Sequence, residues 1–172
     1  MLNPMLPHGK NRYMKATALK HLTVPILKCL FDLYGEYCTT VGQESLESVC
    51  LLEVFPRGVI NSVPETGSAF ANRGEWFNIT ILPTWEKPEH AVYTRDWVHS
   101  LVDNIAALEK EDERIKTGEE IVAKKGYWNG SMGDEKSSLV FGENYNRLRE
   151  VKKKYDPEFV FRKWFPIAPA DW

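Results

Sequence analysis

The sequence has little of what marks secreted, membrane-spanning or nucleic-acid-binding proteins. Its three cysteines, Cys29, Cys38 and Cys50, are an odd number without metal-site spacing, which predicts reduced thiols in a cytoplasmic protein. No run is long and apolar enough to cross a bilayer, and the N-terminus lacks the apolar segment of a signal peptide. Because the formal net charge is -2, with no basic excess, we expect no nucleic-acid partner and no membrane partner.

Metal-site and phosphate-site patterns are missing as well. The four histidines are scattered and form no dyad or ligand spacing, so no metal site is predicted. No glycine-rich loop that could cradle a phosphate is found. The chain does have 172 residues, of which 43% are hydrophobic and 27% charged, as in a globular protein with a real core. We therefore expect a single domain over residues 1–172.

Two helices are predicted from apolar residues that recur every three or four positions. Thr23 is suited to cap the first helix, which runs to about Tyr37, and Pro25 falls in its first turn, where the missing N–H is tolerated. The second helix runs from Pro88 to Leu108. The stripes expected to be buried are Ile26, Leu30, Leu33 and Tyr37 in the first helix and Trp97, Leu101, Ile105 and Leu108 in the second.

Strand signals lie between and before these helices. Arg12–Ala16 is a short extended segment, and Cys50–Phe55 and Val59–Ser62 are predicted to form a hairpin. Glu75–Leu82 is the strongest strand, because its polar and apolar residues alternate. Trp76, Asn78 and Thr80 are expected on one face, and Phe77, Ile79 and Ile81 on the other. The predicted fold class is α+β, an antiparallel β-sheet with helices packed on one face and a C-terminal amphipathic helix.

That C-terminal helix is predicted at Glu143–Tyr155, and Asp156-Pro157 ends it because proline disfavours helical geometry in the preceding residue. Phe159 and Phe161 are expected to pin the following tail to the core. The residues expected on the buried face are Phe141, Tyr145, Leu148, Val151 and Tyr155. Those expected on the solvated side are Arg147, Arg149, Lys152 and Lys153.

This stretch resembles the C-terminal signature of the berberine bridge enzyme-like, FAD-linked oxidases. The matching positions are Gly142, Asn144, Tyr145, Arg147, Leu148, Lys152, Asp156, Pro157 and Phe161. The resemblance continues upstream, where Ala69–Arg73 looks like a family segment that ends in arginine, and Tyr127–Asn129 resembles the Tyr-x-Asn segment beside the flavin ring. It covers roughly residues 12–166, which correspond to the back half of such an enzyme.

The resemblance implies what is missing as well as what is present. Family members begin with a FAD-binding domain that carries a glycine-rich pyrophosphate loop and the residues that tether the flavin. Without these, we expect no cofactor in this chain, and FAD only if a partner chain supplies that domain. Tyr127 and Asn129 would then contact the flavin. In many members a tyrosine general base follows the asparagine, and here that position is Gly130.

The first functional hypothesis is a stand-alone, flavin-free relative of the substrate half of these enzymes. Its uncovered, aromatic-rich sheet face would bind an apolar small molecule and catalyse a non-redox cyclisation, cycloaddition or isomerisation in secondary metabolism. Formation of a homodimer is one way to cover such a face. The candidate catalytic residues are Glu53, Tyr127 and Asn129, and the candidate substrate-binding residues are Trp76, Asn78, Thr80 and Trp128.

Two alternatives stay open from the sequence. The chain is either the substrate-side fragment or subunit of a FAD-dependent oxidoreductase of this family, or a non-catalytic protein that binds a small molecule. The flavin-free reading predicts an enzyme that consumes no oxygen, whereas the oxidoreductase reading places the redox chemistry on a flavin held by another chain.

Overall fold

The computed structural model describes residues 9–74, 76–111 and 128–171. None of the helices in these ranges is long and apolar enough to span a membrane. The elements in chain order are β1 (Asn11–Arg12), β2 (Lys15–Leu19), α1 (Val24–Val41), β3 (Val49–Glu53), α2 (Gly58–Ser62), β4 (Phe77–Leu82), β5 (Thr84–Trp85), α3 (His90–Glu111), α4 (Ser137–Phe141) and α5 (Asn144–Tyr155).

The main sheet is antiparallel and has the strand order β2-β4-β3. Ile81 of β4 pairs with Lys15 on one side and with Cys50 on the other. Strands β1 and β5 form a separate two-stranded antiparallel sheet. In the chain, β1 precedes β2 and β5 follows β4. The strands predicted at Cys50–Phe55 and Glu75–Leu82 are confirmed with slightly shifted ends, and Glu75 lies outside the described residues.

Helices α1 and α3 pack on the apolar face of this sheet and form the core with it. Ile79 and Ile81, from that face, are 0% and 1% exposed. Tyr37 of α1 stacks on Trp97 of α3 with ring centroids 4.3 Å apart. Its hydroxyl donates to the carbonyl oxygen of Thr84 at 3.0 Å, which ties α1 to β5. The predicted α+β class, with helices on one sheet face, is confirmed.

Helix α1 begins and ends through local chemistry. The side chain of Thr23 accepts a hydrogen bond from the N–H of Ile26 at 3.4 Å, as an N-cap does. The helix runs beyond Tyr37 to Val41 and ends at Gly42, whose φ of 70° is the left-handed conformation that glycine adopts without steric cost. The apolar period predicted the helix, and the glycine sets its end.

The strand predicted at Val59–Ser62 is wrong, because this segment is the short helix α2. The N–H of Asn61 donates to the carbonyl oxygen of Arg57 at 2.8 Å, and the Ser62 hydroxyl donates to the carbonyl oxygen of Val59 at 2.8 Å. Val59 is 82% exposed, so its side chain gains nothing from a sheet face. Here local hydrogen bonds override the strand preference of β-branched residues, as expected where no strand packs alongside.

The apolar stripe of α5 is far less buried than its spacing predicts. Leu148 is only half-buried, Val151 is 44% exposed and Tyr155 is 73% exposed. Phe161, expected to pin the tail, is 79% exposed. Periodicity identifies an apolar face, but it does not show that another element of the same chain covers that face. The described residues leave the apolar face of α5 largely exposed.

The tail is instead held from the polar side of α5. Arg149, expected to be solvated, donates from Nε to the carbonyl oxygen of Ala168 at 3.3 Å and from an Nη atom to that of Pro169 at 3.1 Å. Lys152 pairs with Asp156 and donates to the carbonyl oxygen of Phe161. Arg149 and Lys152 therefore fix the chain that follows the helix.

A hydrogen-bonded cluster joins β2 and α3 to the segment before α4. The Tyr13 hydroxyl donates to Asp134 at 2.6 Å and lies 3.1 Å from His99 Nε2. Lys15 Nζ donates to Asp134 at 3.0 Å and to Glu135 at 2.8 Å. Burial alone raises the pKa of Asp134, but the hydrogen bonds from Tyr13 and Lys15 outweigh it and lower the pKa to about 2.

We expect this cluster to give the protein a specific acid sensitivity. The pKa of Asp134 is about 2 in the folded chain and 3.8 in its ordinary state, so the unfolded state binds more protons between these values. The free energy of unfolding therefore falls as the pH drops through this window. Urea titrations between roughly pH 5 and pH 2 should show a shallower pH dependence for Asp134→Asn than for the wild type. An equal pH dependence of the free energy of unfolding in the two proteins would show that the pKa of Asp134 is not lowered in the folded chain.

Candidate functional site

Three of the residues predicted to act in the site lie together on the polar face of the main sheet. Asn78 of β4 is the register partner of Glu53 of β3, and Thr80 follows on the same face. The Thr80 hydroxyl donates to Glu53 Oε2 at 3.1 Å. Asn78 is 6% exposed, so this face is not simply solvated. The alternation of β4 therefore predicted which side chains share this face.

A tight turn at Trp128–Gly130 lies over the same face. A Cβ atom at Gly130 would come within 2.9 Å of the Ala16 side chain and 3.4 Å of Thr80 Oγ1. Glycine is therefore required here by close packing on the sheet. Trp128 is half-buried and Asn129 is exposed. Tyr127, the third predicted catalytic residue, lies outside the described residues.

A pocket opens at the end of this face, and we call it the Trp76 pocket. Its volume is about 220 Å³. The walls are mainly apolar and aromatic, and two amide side chains and a guanidinium supply the polar groups. The lining residues are Phe55, Arg57, Ile60, Phe70, Asn72, Gly74, Trp76 and Asn78.

Asn72 is the polar group of greatest interest in the Trp76 pocket. It is 8% exposed, and its Nδ2 donates to Asn78 Oδ1 at 3.4 Å. Its Oδ1 is buried and accepts no hydrogen bond from the part of the chain that the structure describes. A buried acceptor without a donor is costly, which sets Asn72 apart from the other polar residues that line the pocket.

Hydrogen bonds from side chains to main-chain carbonyl oxygens hold the pocket walls in place. An Arg57 Nη atom donates to the carbonyl oxygen of Gly74 at 2.7 Å, and an Arg73 Nη atom donates to that of Ile60 at 2.7 Å. Trp76 Nε1 donates to the carbonyl oxygen of Arg73 at 2.6 Å. Gly74 has a φ of +123°, and a Cβ there would come within 2.5 Å of Trp76 Nε1. The indole position therefore depends on a glycine at 74.

A second cavity of about 280 Å³ lies next to the Trp76 pocket, and Asn72 lines both. Trp128 lines the second cavity rather than the first. Asn144, one of the signature residues, is 5% exposed and donates to the carbonyl oxygen of Glu65 at 2.9 Å. The signature thus has a structural role here, because it holds the loop that borders this cavity.

Comparison with known proteins finds matches to FAD-linked oxidoreductases. The family described as "Berberine and berberine like" matches residues 126–167. The FAD-linked oxidoreductase pgmH of Aspergillus terreus is 32% identical over 94% of this chain, which covers 34% of pgmH. The chain is similar to the C-terminal part of berberine bridge enzyme-like, FAD-linked oxidoreductases. It spans about a third of the length of this relative.

An oxidase and a solved structure also match over part of their own length. The aclacinomycin-N/aclacinomycin-A oxidase of Streptomyces galilaeus is 30% identical over 65% of this chain, or 22% of the oxidase. The crystal structure of the glycopeptide hexose oxidase DBV29, complexed with teicoplanin, matches with a TM-score of 0.69 and 21% identity. This match covers 94% of the present chain and 33% of that structure. At this identity the structural match supports the fold alone.

FAD is implied by this family, but the described residues do not fit its diphosphate. No two glycines stand two positions apart in the sequence, so the chain has no Gly-x-Gly phosphate loop. Arg57 and Arg73 already donate to main-chain carbonyls. The Trp76 pocket, at about 220 Å³, is below the ~300–1,000 Å³ typical of ligand sites, so it has room for only part of such a molecule.

Proposed function

We propose that this chain forms the substrate side of a berberine bridge enzyme-like oxidoreductase. In this proposal the Trp76 pocket binds part of an apolar or aromatic small molecule that carries a hydroxyl or N–H group. The observation that carries the proposal is the buried Oδ1 of Asn72, which lacks a donor among the described residues and belongs to a side chain lining this pocket. Trp76 and Phe70 supply apolar surface for the remainder of the ligand.

The polar residues near the Trp76 pocket divide into orienting and acid–base groups. Asn78 accepts the hydrogen bond from Asn72 Nδ2, which orients the Asn72 amide. Glu53 lies opposite Asn78 in the sheet register, and its carboxylate accepts from the Thr80 hydroxyl. We assign Glu53 the role of proton acceptor for an acidic hydrogen of the bound molecule. The redox step itself would belong to a flavin bound outside the described residues.

A non-redox cyclisation or isomerisation is the second candidate function. It is supported by the poor fit between the described residues and the FAD diphosphate, since such a reaction needs only a positioned substrate and proton transfer. The two functions differ in their products. A cyclisation or isomerisation conserves the substrate mass, whereas an oxidation removes hydrogen and consumes an acceptor. Mass spectrometry of a turnover mixture distinguishes them.

The binding proposal is tested with two small probes, para-cresol and toluene, which differ by one hydroxyl group. We expect the wild type to bind para-cresol about 5-fold more tightly than toluene, because one hydrogen bond to Asn72 contributes on the order of 1 kcal/mol. In Asn72→Ala this preference should disappear. Isothermal titration calorimetry measures both affinities.

Asn146→Ala is the matched control, since Asn146 is an exposed asparagine on α5. It should keep the wild-type preference for para-cresol. If the wild type binds both probes equally, or if Asn72→Ala retains the preference, the assignment of Asn72 is wrong.

A further inference from the structure

The Trp76 pocket and the second cavity share one side chain. Asn72 lines both, whereas the other described lining residues belong to one or the other. Their volumes are about 220 and 280 Å³, each below the ~300–1,000 Å³ of typical ligand sites, but together they fall within that range. A molecule that contacts Asn72 from the Trp76 pocket therefore also lies at the border of the second cavity.

The amide of Asn72 is satisfied at one atom and not at the other. Its Nδ2 donates to Asn78 Oδ1 at 3.4 Å, and Asn78 is a wall of the Trp76 pocket. Its Oδ1 diverges from Nδ2 on the same planar amide, so it points away from Asn78. This oxygen is buried and accepts no hydrogen bond within the described ranges. A ligand donor that satisfies it lies where the two cavities border each other, because Asn72 is the side chain they share.

The second cavity has apolar walls of its own. Trp128, which is half-buried, packs edge-on against Phe165 with ring centroids 6.2 Å apart. Leu139 and Val140 of α4 also line this cavity. A flat indole and two aliphatic side chains provide surface for a second ring, as Trp76 and Phe70 do for the first.

The polar groups of the second cavity accept hydrogen bonds. Two carboxylate side chains, Glu65 and Glu143, line it, and no lysine, arginine or histidine does so among the described residues. A carboxylate accepts hydrogen bonds and donates none. Among the described lining residues of the Trp76 pocket, by contrast, the charged side chain is Arg57. The second cavity therefore favours a ligand group that carries hydrogen-bond donors.

We propose, building on the function proposed for the Trp76 pocket, that one ligand spans both cavities. Its chemical class is a molecule of two joined rings. The first ring is apolar and aromatic and lies in the Trp76 pocket, and a hydroxyl or N–H group beside the bond that joins the rings donates to Asn72 Oδ1. The second ring carries further donors and lies in the second cavity against Trp128.

Calorimetric titration of the full 172-residue chain with para-cresol and 4-methyl-2-phenylphenol tests the second subsite. The second probe is para-cresol with a phenyl ring next to its hydroxyl group, so it differs only in the ring assigned to the second cavity. The wild type should bind it about 20-fold more tightly than para-cresol, because the added ring gains contacts at the efficiency typical of larger ligands.

Two variants that fill the second cavity should abolish this gain. Ala71→Leu adds a side chain from one wall and Leu139→Trp from another, and neither residue is a described wall of the Trp76 pocket. In both variants the gain from the phenyl ring should fall below about 3-fold, while para-cresol affinity stays within about 2-fold of the wild type. Ala107→Leu, at an exposed alanine of α3, is the control and should keep the full gain.

The chemistry of the second ring is tested with 4-methyl-2-(4-hydroxyphenyl)phenol and 4-methyl-2-(4-fluorophenyl)phenol. Hydroxyl and fluorine are similar in size, but only the hydroxyl donates. The hydroxyl probe should bind about 5-fold more tightly, as one added hydrogen bond predicts. Equal affinities, or a preference for the fluorine, would overturn the assignment of donors to the second ring.

The titrations separate the two proposals. If para-cresol shows no preference over toluene, the function proposed for the Trp76 pocket fails, and the site that spans both cavities fails with it. If para-cresol binds as expected but the phenyl ring adds less than about 3-fold, only the second subsite is overturned. Retention of the full gain in either Ala71→Leu or Leu139→Trp would also overturn it, since the ring would then lie elsewhere.

Discussion

Replacing Trp97 with alanine is expected to lower the free energy of unfolding by about 3–5 kcal/mol. Trp97 is 6% exposed and stacks on the fully buried Tyr37. Its Nε1 donates to the carbonyl oxygen of Leu33 at 2.9 Å, so the substitution removes both ring packing and a bond between α3 and α1. Urea titration followed by far-ultraviolet circular dichroism measures the loss.

Val92→Ala is the matched control on the same helix. Val92 is 71% exposed, so this change should stay within about 0.5 kcal/mol of the wild type. Similar losses for Val92→Ala and Trp97→Ala would mean that the buried face of α3 has been assigned incorrectly. A loss below about 1 kcal/mol for Trp97→Ala would mean that the α1–α3 contact is not the centre of the core.

Replacing Trp76 with alanine is expected to weaken para-cresol binding by about 10- to 100-fold, since aromatic anchors dominate the energetics of binding sites. The indole forms a wall of the Trp76 pocket, and its Nε1 is fixed by the carbonyl oxygen of Arg73. Calorimetric titration provides the affinity, and circular dichroism checks that the variant is folded. Trp164→Ala, at a 50% exposed tryptophan outside the pocket, should bind as the wild type does.

A second variant tests the position of the indole rather than its presence. Gly74→Ala places a Cβ where it would come within 2.5 Å of Trp76 Nε1, so the ring must move although it remains in the protein. We expect this variant to lose affinity in the same direction as Trp76→Ala. Unchanged binding in both variants would show that the ligand does not use this wall.

The helices of the core were predictable because their signals are periodic. Ile26, Leu30 and Tyr37 repeat at helical spacing, and all three are buried in α1. Trp97, Leu101 and Ile105 do the same in α3. Such stripes report an amphipathic element directly, since burial against the sheet requires one continuous apolar face. Thr23 and Pro25 marked the start of α1 for equally local reasons.

The errors arose where the outcome depends on what packs against an element. Val59 and its neighbours have strand propensity, but they form a helical turn because no strand lies beside them in the described structure. The apolar stripe of α5 is real, yet Val151 and Tyr155 remain exposed. Arg149 was expected to be solvated because its type is charged, whereas two carbonyl oxygens of the tail bind it.

The candidate site also combines residues that the sequence pattern predicted with residues that it could not predict. The alternation of β4 placed Asn78 and Thr80 on one face, and the structure brings Glu53 to them. Phe55, Phe70 and Asn72 could not be assigned to the Trp76 pocket in the same way, because they come from irregular segments. Hydrogen bonds from the Arg57 and Arg73 side chains to main-chain carbonyl oxygens position those segments, and sequence spacing does not report such bonds.

The central claim is that a small molecule binds in the Trp76 pocket and donates a hydrogen bond to Asn72. Two-dimensional ¹H–¹⁵N NMR spectra of the wild type, recorded as para-cresol is added, test it most directly. The account predicts that the side-chain amide signals of Asn72 and Asn78 and the indole signal of Trp76 shift together along one binding curve. Shifts confined to residues outside the Trp76 pocket, or no shift of these three signals at saturation of binding, would contradict it.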